Sequence, residues 1–118
     1  ILRTGAIRRR NEECPANALH VGQSGYHAAS LPWLHERQVA LITSDTSNDV
    51  RPSGYQIVSS PIHAVAHVAM GRWMLDNCEL EEVARACEKR RRWEFLFMAL
   101  PLRVLGGTGC PVNPVAVF

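Results

Sequence analysis

Val39-Ala40-Leu41-Ile42-Thr43-Ser44-Asp45-Thr46 is the stretch whose reading decides the fold class. Four consecutive apolar residues have strand length and leave no polar face, as in a strand buried on both sides. The run ends in hydroxyls and a carboxylate, and loops that follow buried strands commonly build functional sites. Upstream, Ser30-Leu31-Pro32 followed by Glu36 reads as a helix start, with a hydroxyl cap before a first-turn proline, giving a short helix over Leu31–Arg37. Downstream, Pro61 opens a helix through Met70 that Gly71 closes in the left-handed conformation. Trp73-Met74-Leu75 is then a short strand ending in Asp76. Helix and strand patterns that alternate in this way predict an α/β fold, or α+β with a mixed sheet.

The flanks extend the pattern. Ile1–Thr4 reads as a strand, and Gly5–Gly25 has no clean period and reads as an extended loop with at most one helical turn. Glu79–Arg92 is the clearest helix. Leu80, Val83, Ala84 and Cys87 recur at helical spacing, with acids early and Lys89-Arg90-Arg91-Arg92 late, which complements the macrodipole. Glu94–Val104 reads as a long interior strand, Gly106–Gly109 as a tight turn, and Val115–Phe118 as a last strand. Trp33, Trp73 and Trp93 read as core or interface anchors.

Composition narrows the function classes. The chain has 118 residues, the size of one folding unit, with 47% hydrophobic and 20% charged residues. These are ordinary values for a globular protein and exclude a disordered or collagen-like chain. Thirteen basic against eleven acidic residues leave a net charge of +2, too small to point to nucleic acid or a membrane surface. The longest apolar run, Phe95–Leu102, falls short of the roughly 20 residues of a membrane span. Cys14, Cys78, Cys87 and Cys110 form no C-x-x-C pair, which argues against a structural zinc module. Free thiols in a reducing cytoplasm are expected, and no secretory leader pattern is visible. The chain begins in what reads as a strand and without Met, which predicts further sequence upstream.

Several side chains are candidates for chemistry. His63 and His67, four apart on one predicted helix face, and Asp76 after the next strand are ligand types for zinc or manganese. The competing reading is one satisfied buried imidazole and one surface imidazole. Asp49 reads as a turn-capping residue, and Asp45 is balanced between capping and function. Gly106-Gly107-Thr108-Gly109 lacks the lysine and following helix of a phosphate-binding loop, so a turn is the better reading.

In order, Gly25-Tyr26-His27, Leu31–Arg37, Val39–Thr46, Pro61-Ile62-His63, Met70-Gly71, Leu75–Leu80, Ala99–Arg103 and Gly106–Val117 resemble the carboxy-terminal half of the cyclase family. These are metal-dependent hydrolases that include kynurenine formamidase and isatin hydrolase, and the resemblance runs over most of the chain. It implies a swivelling β/β/α-type fold, present here as the carboxy-terminal part of one domain. It also implies a divalent metal, zinc or manganese, that activates water to open the C–N bond of a small amide such as N-formylkynurenine or a cyclic amide. The family's diagnostic His-x-Gly-Thr-His-x-Asp motif belongs to the amino-terminal half, and this chain contains no Gly-Thr-His. Matched residue by residue, His63 and Asp76 are the later-half metal ligands, and His67 is the alternative to His63. Two departures stand out: Asp76 occupies a position where formamidases carry Glu, and its spacing from His63 is one residue longer. No catalytic residue is assigned. A homo-oligomer, dimer or tetramer, is expected with the resemblance, and neither nucleic acid nor membrane as a partner. The rival reading is a non-catalytic relative with a structural or assembly role.

Overall fold

The structure, a computed structural model, describes residues 1–13 and 21–118. Cys14 lies outside the described residues; Cys78, Cys87 and Cys110 are free thiols. The described chain divides into two compact units, Ile1–Glu81 and Glu82–Phe118.

In the first unit, β1 (Leu41–Thr43) pairs in parallel with β2 (Trp73–Leu75), in the register Leu41 to Trp73 and Thr43 to Leu75. Parallel neighbours need a crossover, and here it contains a π-helix, His63–Ala69, entered through one turn at Pro61-Ile62. The predicted strand Val39–Ile42 thus begins two residues later, at Leu41, and ends one later, at Thr43. The apolar run reports burial, whereas the ladder is set by pairing to β2, and Thr43 is as buried as Ile42. The helix predicted over Pro61–Met70 is present but wound more widely. Ile62 and Ala66 are its buried residues, and Gly71 ends it at φ 64° as expected. Leu34, Ile42, Ile62 and Ala66 form the core, joined by Tyr26, Leu31, Val39, Met70 and Met74. Leu34 arrives on α2 (Leu31–Glu36), preceded by a 3-10 turn, Ala28–Ser30. Ser30 does not cap α2; its hydroxyl donates to the His27 carbonyl.

Two expectations for this unit need correction. Gly5–Gly25 is not simply loop, because Ala6–Glu12 forms helix α1. Its sequence, Ala6-Ile7-Arg8-Arg9-Arg10-Asn11-Glu12, has no apolar stripe and no buried residue, so periodicity could not reveal it. Ile1–Thr4 contributes a single parallel bridge, Leu2 to Ser44, rather than a strand.

In the second unit, α3 (Glu81–Arg90, its first residue at the boundary) is followed by β3 (Leu96–Met98), antiparallel to β4 (Val115–Val117). Glu94–Val104 is therefore not a long interior strand: only three residues pair, and Leu100, Leu102 and Val104 are exposed. Pro101 lacks the N–H that a continued ladder needs. The tryptophans are not core anchors either, since Trp33, Trp73 and Trp93 are all more than half exposed. The guanidinium of Arg37 sits 4.5 Å over the Trp33 ring. The α/β class holds, with parallel and antiparallel pairing in two small sheets. Among the described residues, no helix is long and apolar enough to cross a membrane.

Candidate metal centre

Because β1 and β2 run in parallel, their carboxyl ends open at one edge, where the loop 44–49 and Asp76 emerge together. In open parallel sheets this is where ligands bind. The loop is polar yet deeply buried: Ser44, Asp45, Thr46, Asn48 and Asp49 are each at most 4% exposed. Burial of that kind is tolerable only when the groups are hydrogen-bonded. Ser44 Oγ accepts from the amides of Thr46 and Asn48, Asn77 N donates to Thr46 O, and Cys78 N donates to Ser44 O. On the other side Tyr26 N donates to Asn48 O at 2.6 Å and Val50 N to Tyr26 O. Gly25 makes that approach feasible, since a Cβ there would stand 2.5–2.6 Å from backbone atoms of Asn48, Asp49 and Val50.

His63, the first residue of the π-helix, meets this edge. Its Nε2 lies 3.4 Å from Asp76 Oδ2, and its Nδ1 lies 2.5 Å from Asp49 Oδ2. Asp49 Oδ1 accepts from Ile62 N at 2.7 Å, so the same carboxylate caps the helix start. Asn48, at the left-handed φ of 60°, donates from Nδ2 to Asp76 Oδ1 at 2.6 Å and to Leu75 O at 3.0 Å. Those two acceptors fix the amide's orientation and leave Asn48 Oδ1 buried without a partner among the described residues. The structure thus brings His63 and Asp76 together. His67 points elsewhere, its Nδ1 2.8 Å from the Arg72 carbonyl. Asp45 faces away from the pair towards the start of α1, accepting from Thr4 N, Thr4 Oγ1, Gly5 N and Ala6 N. Sequence reasoning assigned Asp49 to turn capping alone and did not single out Asn48. Their only signal was their place just beyond a buried strand.

Burial works against the charged imidazole of His63, but its hydrogen bond to the Asp49 carboxylate and the charges of Asp76 and Asp49 outweigh it and raise its pKa above the ordinary value. A histidine pKa raised on folding gives stability that is fully present below the unfolded value of about 6.5 and is lost as pH rises through the folded value. Urea denaturation of the metal-free protein should accordingly show stability falling as pH rises above the unfolded value, and His63→Gln should flatten that part of the profile. An identical slope in the variant would remove His63 as its cause.

The donor set fits a divalent metal in type and spacing. A neutral imidazole nitrogen and a carboxylate oxygen suit zinc or manganese. Two ligands on one zinc at about 2.0–2.2 Å and tetrahedral angle stand roughly 3.4 Å apart, as do His63 Nε2 and Asp76 Oδ2. Asp49 on the far ring nitrogen is the carboxylate–histidine arrangement usual behind a metal ligand. Among the described residues, no group of three or more His, Cys, Asp and Glu side chains is arranged to hold an ion. The pair offers two of the four donors that a tetrahedral ion takes.

No family model and no curated protein matches the chain. A solved structure described as the crystal structure of a novel cyclase is similar to it, with a TM-score of 0.77 and 26% identity. The match covers 98% of this chain and 38% of that one, so the chain spans well under half the length of this neighbour. The mixed α/β arrangement built around the parallel β1–β2 pair is a cyclase-type fold.

Proposed function

We propose that this chain contributes to a metal-dependent hydrolase that opens the C–N bond of a small formylated or cyclic amide, with N-formylkynurenine as the representative substrate. The observation that carries the reading is the His63–Asp76 pair, spaced like two ligands of one ion and backed by Asp49. The similarity to a structure described as a cyclase supports the same reading. His63 would hold zinc or manganese through Nε2, and Asp76 through Oδ2. When bound, such an ion polarises a carbonyl and acidifies water. The chain's own part is to hold one imidazole and one carboxylate at a fixed separation, half-exposed and open to a substrate. A homo-oligomer in the cytoplasm is part of this proposal.

Metal analysis of the purified protein, together with hydrolysis assays on formylated aryl amines and small cyclic amides, tests it. Bound zinc or manganese with turnover of one of these classes is the expected result for the full-length protein, and weak metal binding with little turnover for these 118 residues alone. A protein that takes up neither ion would leave the second reading, a non-catalytic relative with an assembly role. That alternative is favoured by the two-donor count among the described residues.

A further inference from the structure

Asp49 and Asn48 are adjacent in one loop, and each reaches one half of the pair. Asp49 is essentially inaccessible, its side chain 1% exposed, although it contacts a half-exposed histidine. As a helix cap it would need one oxygen, and Oδ1 on Ile62 N at 2.7 Å supplies that. Oδ2 stands a long 3.4 Å from His63 N but 2.5 Å from His63 Nδ1. The second oxygen is therefore committed to the ring. A carboxylate only accepts, and both ring nitrogens face one. The 2.5 Å contact at Nδ1 is far shorter than the 3.4 Å contact at Nε2, so the neutral ring keeps its single proton on Nδ1 and its lone pair on Nε2.

Asn48 mirrors this on the carboxylate. Both of its amide protons are used, on Asp76 Oδ1 and Leu75 O, so one Asp76 oxygen is held while the other faces His63 Nε2. The loop itself is anchored. Gln23 Nε2 donates to Asp49 O at 2.9 Å, Asp49 N to Ser47 O, and Tyr26 brackets residues 48–50 through two backbone hydrogen bonds.

We propose that Asp49 is a positioning residue that fixes His63 in the Nδ1–H tautomer and presents the Nε2 lone pair beside Asp76, which Asn48 orients in the same way. The proposal rests on reading His63 and Asp76 as metal ligands, and it assigns to two residues outside the pair the task of deciding which atoms face the ion.

Asp49→Asn discriminates positioning from capping. The amide oxygen can still accept from Ile62 N, but the amide nitrogen then faces Nδ1 as a donor and drives the ring proton to Nε2. Zinc affinity, measured by competition with a chelator, should fall about 10- to 100-fold, the usual range when a ligand's supporting partner is lost. Nitrogen-15 NMR of the metal-free variant, at a pH where the ring is neutral, should show the tautomer reversed. Unchanged zinc affinity together with an unchanged tautomer in Asp49→Asn overturns the proposal. The same NMR measurement on the unsubstituted protein decides the matter if the variant does not fold, with Nδ1–H expected and Nε2–H overturning it. Absence of zinc binding by the unsubstituted protein would instead refute the proposed function, and the tautomer would still report on Asp49.

Discussion

Replacing His63 or Asp76 by alanine in the full-length protein is expected to reduce together the metal binding and amide hydrolysis proposed for it. Each substitution deletes one donor from a pair 3.4 Å apart that has no third described partner to compensate. Loss of a supporting residue behind a ligand weakens metal affinity about 10- to 100-fold, so loss of the ligand itself should exceed roughly 100-fold. Both variants should remain folded. The Nε2 edge of His63 and the Asp76 carboxylate lie at element ends near solvent, and Asp49 keeps its cap on Ile62 N. His67→Ala should do much less, because its ring is engaged with the Arg72 carbonyl one turn further along. Zinc stoichiometry of the three proteins gives the answer. Full occupancy in both His63→Ala and Asp76→Ala, with loss only in His67→Ala, would identify His67 as the ligand.

Asp45→Ala should be the most destabilising polar substitution in the first unit. The carboxylate is buried and collects four hydrogen bonds, at 2.7–2.9 Å, from Thr4, Gly5 and Ala6. Burial by itself would raise its pKa, but these donors prevail and hold it below the ordinary carboxylate value. Hydrogen bonds to a charged group contribute more than neutral ones, and some of the freed amides would regain water. A loss of roughly 2–4 kcal/mol follows. The seven-residue α1 has no buried residue and is far too short to be stable alone, so the first effect should be detachment of the amino-terminal segment. Because the folded pKa is depressed, the contribution is present above about pH 4 and disappears as pH falls through the folded value. Urea denaturation with amide exchange at Ala6 and Ile7 reports both effects. A change below about 0.5 kcal/mol would mean that the cap is not needed.

The residues that encode the cyclase-type fold are legible where burial and backbone punctuation coincide. The apolar run before Thr43, the Pro61 start, the Gly71 stop and Trp73–Leu75 all mark elements that are present. Burial and pairing are separate properties, however, which is why β1 is displaced towards Thr43 and why Glu94–Val104 pairs over only three residues. α1 is held by a carboxylate about 40 residues away, and no local pattern records such a partner. The candidate site divides in the same manner. His63 and Asp76 are visible as ligand types at element ends. Asn48 and Asp49 resemble ordinary turn residues in sequence, because their roles come from a contact with Gly25 and Tyr26 and from the parallel register of two strands.

That contact with Gly25 sets a tolerance. The metal site proposed at the pair would depend on differences of a few tenths of an ångström, yet the depth at which Asn48 and Asp49 sit is limited by bare backbone meeting bare backbone. A side chain can relax through its rotamers; this boundary has no torsion to spend. The dimension of the opening between imidazole and carboxylate is thus inherited from a residue with no functional group, and the smallest added carbon at position 25 would be transmitted to both.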